Sequence, residues 1–196
     1  MQLSIAGGRS IHEALWPVDD SRSRIARTVV LAVLGSALLW ASAKVQIPFY
    51  PVPMTMQTYM VLVLGAAYGW RLGGATVLLY LAQGAMGLPV FAGGGGLAYF
   101  GGPTGGYLAG FFVAAVTIGW LAERGWDRSL WRMVVAMALG HATIFVFGVG
   151  YLSALMDSFQ AAFAAGFVPF IWATVLKTAL AGATLPLAWQ ALSRRR

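Results

Sequence analysis

A single ammonium group stands deep inside an otherwise uncharged stretch of this chain. Lys177 lies eight residues after Pro169 and fifteen before Leu192, and residues 158–192 carry no other charge. At 1.5 Å per residue it sits roughly 12 Å and 22 Å from the ends of its helix. A cation at such depth costs at least about 2.5–3.5 kcal/mol on insertion scales, so a function with a nameable partner is the default expectation. The acidic residues are Glu13, Asp19, Asp20, Glu123, Asp127 and Asp157, all in a tail, a loop or a helix end. No helix interior offers a carboxylate. Two chemistries stay open: a lysine that is uncharged, or one that meets an anion from outside, most simply a carboxylate. The bland alternative is snorkelling to the outer surface. Phe170, Thr174 and Lys177 are spaced i, i+4, i+7 and share one helix face, so a ring, a hydroxyl and an ammonium could meet one amphipathic ligand. His141, about ten residues into its helix, reads as a hydrogen-bonded packing residue rather than a proton relay.

The rest of the chemistry is defined by what is missing. Cysteine is absent, so disulfides, thiolate metal sites and cysteine nucleophiles are excluded. The only lysines are Lys44 and Lys177 and neither follows a glycine, so there is no phosphate-binding loop of the ATPase kind. No nucleophile, base and acid come together. The expectation is a binding protein rather than an enzyme, without cofactor or metal, and any energy for transport would come from other subunits.

The elements that must position Lys177 are membrane spans. The 196 residues are 59% hydrophobic and 10% charged, against roughly 45–50% and 25% for soluble domains. The net charge of +7 resembles a nucleic-acid signature only until the basic residues are located between long uncharged runs. Those runs, divided where Gly and Pro cluster, predict an all-α membrane protein with six helices near 25–44, 54–70, 72–86, 104–123, 131–153 and 167–192. The second and third are short for full spans. Residues 1–24 read as a cytoplasmic tail, 25–193 as the membrane domain and 194–196 as a basic cytoplasmic end. Six spans put every Lys and Arg except Lys44 and Lys177 on one side, which the positive-inside rule assigns to the cytoplasm, with both termini there. No apolar leader segment precedes Thr28.

Both long outer loops, residues 45–53 and 87–103, lack charge and carry Ile47, Phe49, Tyr50, Leu88, Val90, Phe91, Leu97, Tyr99 and Phe100. Such loops are expected to pack into the protein and cap a ligand that is part apolar and part hydrogen-bonding. Small residues spaced by four recur as Ala32 with Ser36, Ala37 with Ala41, and Gly102, Gly106 and Gly110, a spacing that permits close helix approach. Internal packing suits the glycines; docking of a partner suits the first helix.

Four ordered segments resemble one family. They are Ile47-Pro-Phe-Tyr-Pro-Val-Pro-Met-Thr-Met-Gln57, Gly84-Ala-Met-Gly-Leu-Pro-Val-Phe-Ala-Gly-Gly94, Gly102-Pro-Thr-Gly-Gly-Tyr-Leu108 and Pro169-Phe-Ile-Trp-Ala-Thr-Val-Leu-Lys177. Together they look like BioY, the biotin-binding S-component of energy-coupling-factor transporters. The resemblance implies six helices, capture of biotin on the outer side of the cytoplasmic membrane, and inward delivery with a transmembrane T-component and ATPase subunits. It implies substrate contacts at Gln57, Phe91, Gly93, Tyr99, Thr104, Tyr107, Phe170, Thr174 and Lys177, and T-component docking at Ala32 and Ser36. Thr174 stands where the family commonly has an acid, and glycine at 93–94 where a polar side chain is common. An S-component for another small vitamin and a self-sufficient carrier are the alternative readings.

Overall fold

The structure is a computed structural model that describes residues 10–18 and 20–193. Asp19, Arg9, Arg194, Arg195 and Arg196 lie outside the described residues. A five-residue helix α1 (Ile11–Leu15) precedes the long α2 (Ser21–Lys44). α2 starts earlier than residue 25 because the Asp20 carboxylate accepts from the backbone N–H groups of Arg22 and Ser23. The first outer loop is a two-stranded antiparallel hairpin, β1 (Gln46–Ile47) with β2 (Met54–Thr55), closed through a cis Tyr50–Pro51 bond. Then come α3 (Gln57–Ala85), α4 (Gly105–Glu123), α5 (Leu130–Met156), the short α6 (Phe159–Gly166) and α7 (Ile171–Ser193). Among the described residues, five helical runs are long and apolar enough to cross a membrane, with α6 and α7 counted as one.

The count of five conceals six helices, because α3 folds back on itself. Gly69 has φ 76 and ψ 172, a conformation open essentially to glycine alone. A Cβ on Gly73 would lie 3.0 Å from the Cα of Gly65, whereas a straight helix separates residues eight apart by about 12 Å. Gln57 and Tyr80 likewise hydrogen-bond at 2.7 Å across the two limbs. The expected break at Arg71 is therefore corrected to Gly69. Its limbs, 57–68 and 70–85, rise only about 18 Å and 24 Å at 1.5 Å per residue, below the roughly 30 Å hydrocarbon thickness. The last expected helix is corrected too. Residues 159–170 form α6 and a 3₁₀ turn at Val168–Phe170, and Pro169 fits that turn because its missing N–H falls at a helix start.

Packing uses the small residues largely inward. Gly106 faces the Phe147 carbonyl and Tyr151 on α5, and Gly110 faces Ile144, as internal packing requires. Ser36 departs from its expected docking role. It is 1% exposed and its hydroxyl donates to the Gln83 side chain, fastening α2 to the second limb of α3. Ala32 is half-buried, while Ala37 and Ala41 face outward. The outer loops also pack less completely than their apolar content suggests: Val52, Val90 and Phe91 are buried, but Tyr50 and Leu97 stand out at 95% and 76% exposure. At the opposite end the Trp189 indole N–H donates to the buried Asp127 carboxylate, tying α7 to the turn between α4 and α5.

Gly69→Ala is expected to destabilise the fold by about 1–3 kcal/mol, because alanine is strained at this backbone conformation. Thermal unfolding of the purified variant in detergent reads this; an unchanged midpoint would place the reversal elsewhere.

Candidate functional site

The Lys177 ammonium is turned into the protein rather than out to the surface. The residue is 7% exposed, and Nζ donates to the Thr55 carbonyl at 2.6 Å and the Thr58 hydroxyl at 3.3 Å. Snorkelling is ruled out by this geometry, and neither partner is an acid. The acceptors exist because β2 ends at Thr55 and α3 begins two residues later, leaving the Thr55 carbonyl directed at α7 rather than spent in a helix. The Thr55 hydroxyl donates to Gln57 Oε1 at 3.2 Å and accepts from the Gln57 backbone N–H, so the strand-to-helix junction is held rigid.

Beside Lys177 lies a cavity of about 50 Å³. Its wall includes Gln57, Phe91, Tyr99, Thr104, Tyr107, Phe170, Thr174 and Lys177, so the structure brings together every residue singled out from the sequence except Gly93. Gly93 belongs instead to an outer vestibule of about 450 Å³, and its backbone N–H donates to the Tyr99 hydroxyl at 3.2 Å. The vestibule and the cavity share Pro53, Ala92, Tyr99 and Thr104, which form the partition between them. Ligand pockets for drug-sized molecules run to about 300–1,000 Å³, whereas 50 Å³ holds one or two waters. Admission of a larger guest therefore requires that partition to move.

Several polar groups in the wall are already committed. Gln57 spends its amide on Tyr80 and Thr55, and the Tyr107 hydroxyl donates to the Gly166 carbonyl at 2.8 Å. Thr104 and Thr174 keep their hydroxyls for the cavity: Thr104 makes no capping bond, and α7 gives Thr174 none either among the described residues. The first turn of α4 starts just after Thr104, which adds the positive end of a helix to the same wall. With no Asp or Glu in the lining, the polar side of this cavity offers hydrogen-bond donors and one cation. It suits a guest that presents acceptor oxygens and an apolar body. The body would meet Phe91, which stacks at 4.9 Å on Tyr99 and edge-on at 5.4 Å against Tyr80, and Phe170, which lies 6.3 Å from Phe49 of the first loop.

The lining also contains Thr55, Thr58, Ile144 and Phe145, which sequence reasoning did not single out. Thr55 lies within the Val52–Gln57 segment and was discoverable there, although its role runs through the backbone. Ile144 and Phe145 carried no signal, being two apolar residues in an apolar helix. His141 packs as expected: Nδ1 bonds the Met137 carbonyl and the Thr178 hydroxyl at 3.0 Å each, and Nε2 is buried without a partner.

The outer loops are latched to one another. The Lys44 ammonium at the end of α2 donates to the Phe91 carbonyl at 2.8 Å, and Gln46 Nε2 reaches the Ala92 carbonyl at 3.4 Å. The chain lacks cysteine, so single cysteines report access cleanly. Ala98→Cys, in the vestibule, is expected to react with a water-soluble maleimide at least about ten-fold faster than Thr174→Cys, an opening cost of roughly 1.4 kcal/mol. Equal labelling rates would mean that the partition does not separate the two spaces.

The profile of the BioY family matches residues 13–194. The biotin transporter BioY of Thermotoga maritima is 38% identical over 156 residues, which cover 79% of this chain and 91% of that one. The biotin transporter BioY of Rhizobium etli is 35% identical over 167 residues, 79% of this chain and 89% of that one. Among solved structures, the S-component for biotin from an ECF-type ABC transporter superposes with a TM-score of 0.77 at 22% identity, covering 88% of this chain and 95% of that one. The fold is that of an S-component.

Proposed function

The chain belongs to the BioY family, and from that membership we propose that it is the biotin-capturing S-component of a vitamin uptake system. The names of its relatives describe transport, not a reaction. The observation that carries the reading is the buried Lys177 beside a cavity without acids, roofed by two apolar outer loops. Biotin has a fused apolar bicycle for Phe91, Tyr99 and Phe170, and a ureido oxygen and a carboxylate that both accept from donors. Lys177, Thr104 and Thr174 are such donors. With Thr174 in place of an acid, ureido N–H groups would be accepted by hydroxyl or carbonyl oxygens.

The site opens toward the face that carries few charges, which the positive-inside rule makes the outer face of the cytoplasmic membrane, with both termini inside. Residues 25–193 would be the membrane domain, and the tail before them and 194–196 would lie in the cytoplasm. The chain has no phosphate-binding loop, so ATP-driven delivery would draw on ATPase subunits joined through a transmembrane T-component.

Equilibrium binding of biotin to the purified chain tests the reading. Saturable binding that other vitamins do not displace supports it; no binding, or displacement by another vitamin at equal concentration, overturns it. Lys177→Ala is expected to weaken biotin at least 10-fold, about 1.4 kcal/mol or more, and unchanged affinity would remove the lysine from the site. Lys44→Met should speed both association and dissociation of biotin by about ten-fold, the lower end of the worth of one charge-assisted hydrogen bond, while Lys44→Arg should not. Stopped-flow tryptophan fluorescence measures both rates, and wild-type rates in Lys44→Met would show that this contact does not gate entry.

A further inference from the structure

A second cavity, of about 530 Å³, opens at the basic end of the bundle, between α1, the start of α2, the Gly69 reversal and the last residue of α4. It is separate from the biotin cavity and shares no residue with it. Its wall carries both signs of charge, Arg27 and Arg71 together with Glu13 and Glu123.

Arg27 is 8% exposed. One guanidinium N–H donates to the Trp16 carbonyl at 2.6 Å, and Nε is buried with no acceptor. A guanidinium withdrawn from water with its donors incompletely met is costly, and an anionic oxygen entering the cavity relieves that cost. The two carboxylates supply the opposite half. Glu13 uses Oε2 on the Ser10 backbone N–H at 3.3 Å, and Glu123 uses Oε1 on the Trp70 backbone N–H at 3.2 Å. Each keeps a second oxygen for a donor. His12, also in the wall, is held below its ordinary imidazole value chiefly by burial, so it adds no third cation near neutral pH.

The cavity opens at the basic end of the bundle, beside apolar faces of α2 and α3. Thr28 and Ala75 on its rim are exposed, and along the same helices Val29 and Leu78 are exposed at 55% and 51%, an apolar track running toward the membrane interior. Trp70, 38% exposed beside the cavity, carries an indole, a ring that favours membrane interfaces.

We propose that this cavity holds the zwitterionic headgroup of a phosphoethanolamine lipid from the leaflet on the basic side, its phosphate against Arg27 and Arg71 and its ammonium against Glu13 and Glu123. A purely anionic headgroup would bring its charge up to two carboxylates and leave them unanswered. A choline headgroup has the charge but no N–H to donate. The ethanolamine ammonium answers both halves of the wall, and the acyl chains follow the Val29 and Leu78 surfaces.

Native mass spectrometry of the full chain tests this, after equilibration in detergent micelles doped with equal amounts of phosphatidylethanolamine, phosphatidylcholine or phosphatidylglycerol, with free phosphoethanolamine as a separate arm. The expected result is a retained phosphatidylethanolamine adduct, preferred about ten-fold over the other two lipids, the factor a single charge-assisted hydrogen bond supplies. Arg27→Gln and Glu123→Gln should each erase the preference at unchanged helix content by circular dichroism, whereas Asp157→Asn at the opposite end should keep it. Because Arg27→Gln could unfold the chain, Glu123→Gln carries the decision alone if helix content falls. Equal retention of phosphatidylcholine, stronger retention of phosphatidylglycerol, or a preference that survives Glu123→Gln would overturn the proposal. An adduct with free phosphoethanolamine and none with the lipid would assign the cavity to a soluble ligand and overturn it as well.

Discussion

The bond from the Lys177 ammonium to the Thr55 carbonyl joins the two parts of the molecule that matter most to each other. One end is a charge in the interior of α7, the other the last residue of the first outer loop. A lysine there can be tolerated only with oxygen acceptors, and the structure supplies neutral ones instead of a carboxylate. The lysine thus holds the loop against the bundle and presents its amine beside the cavity. With a hydroxyl rather than an acid at residue 174, the cavity wall beside the lysine holds no carboxylate.

A cavity of about 50 Å³ under latched loops describes a narrow chamber. The partition that closes it is made of loop residues and ring stacking rather than helix backbone, so it is the part of the molecule that can yield at least cost. The vestibule on its far side offers Gln46, Tyr99 and loop backbone to an arriving polar solute. The two limbs of α3 are shorter than the hydrocarbon thickness of a bilayer, and that shortness leaves room at the end of the bundle for the two apolar loops. The chamber is in this sense a product of the Gly69 reversal as much as of the loops themselves.

Much of the site was legible because its residues violate the composition around them. A charge in an apolar helix, glycines and prolines in apolar loops, and a ring and hydroxyl at helical spacing from the charge all stand out in a single sequence. Gly93 lines the vestibule rather than the cavity, a distinction hidden in the sequence because glycine contributes only backbone, and which way that backbone faces depends on the turn that Gly94 and Gly96 complete with positive φ. Ser36 was misjudged because a small residue on a helix surface fits a partner outside and a neighbour inside equally well; only the position of Gln83 decides. Thr55 escaped because its contribution is a carbonyl, which every residue possesses.

The sequence by itself determined that the chain lives in a membrane, which end is basic, that one lysine lies within a span and that two loops are unlike solvated loops. These follow from hydrophobicity and charge, properties that act on each segment independently of its neighbours. Tertiary structure alone decided that the reversal within α3 falls on Gly69, that the lysine is answered by a backbone oxygen, and that an Arg27 guanidinium is buried beside two carboxylates. Those outcomes depend on contacts between residues as far apart as 55 and 177, which no local pattern encodes, because hydrogen bonds and burial are settled only when distant elements meet.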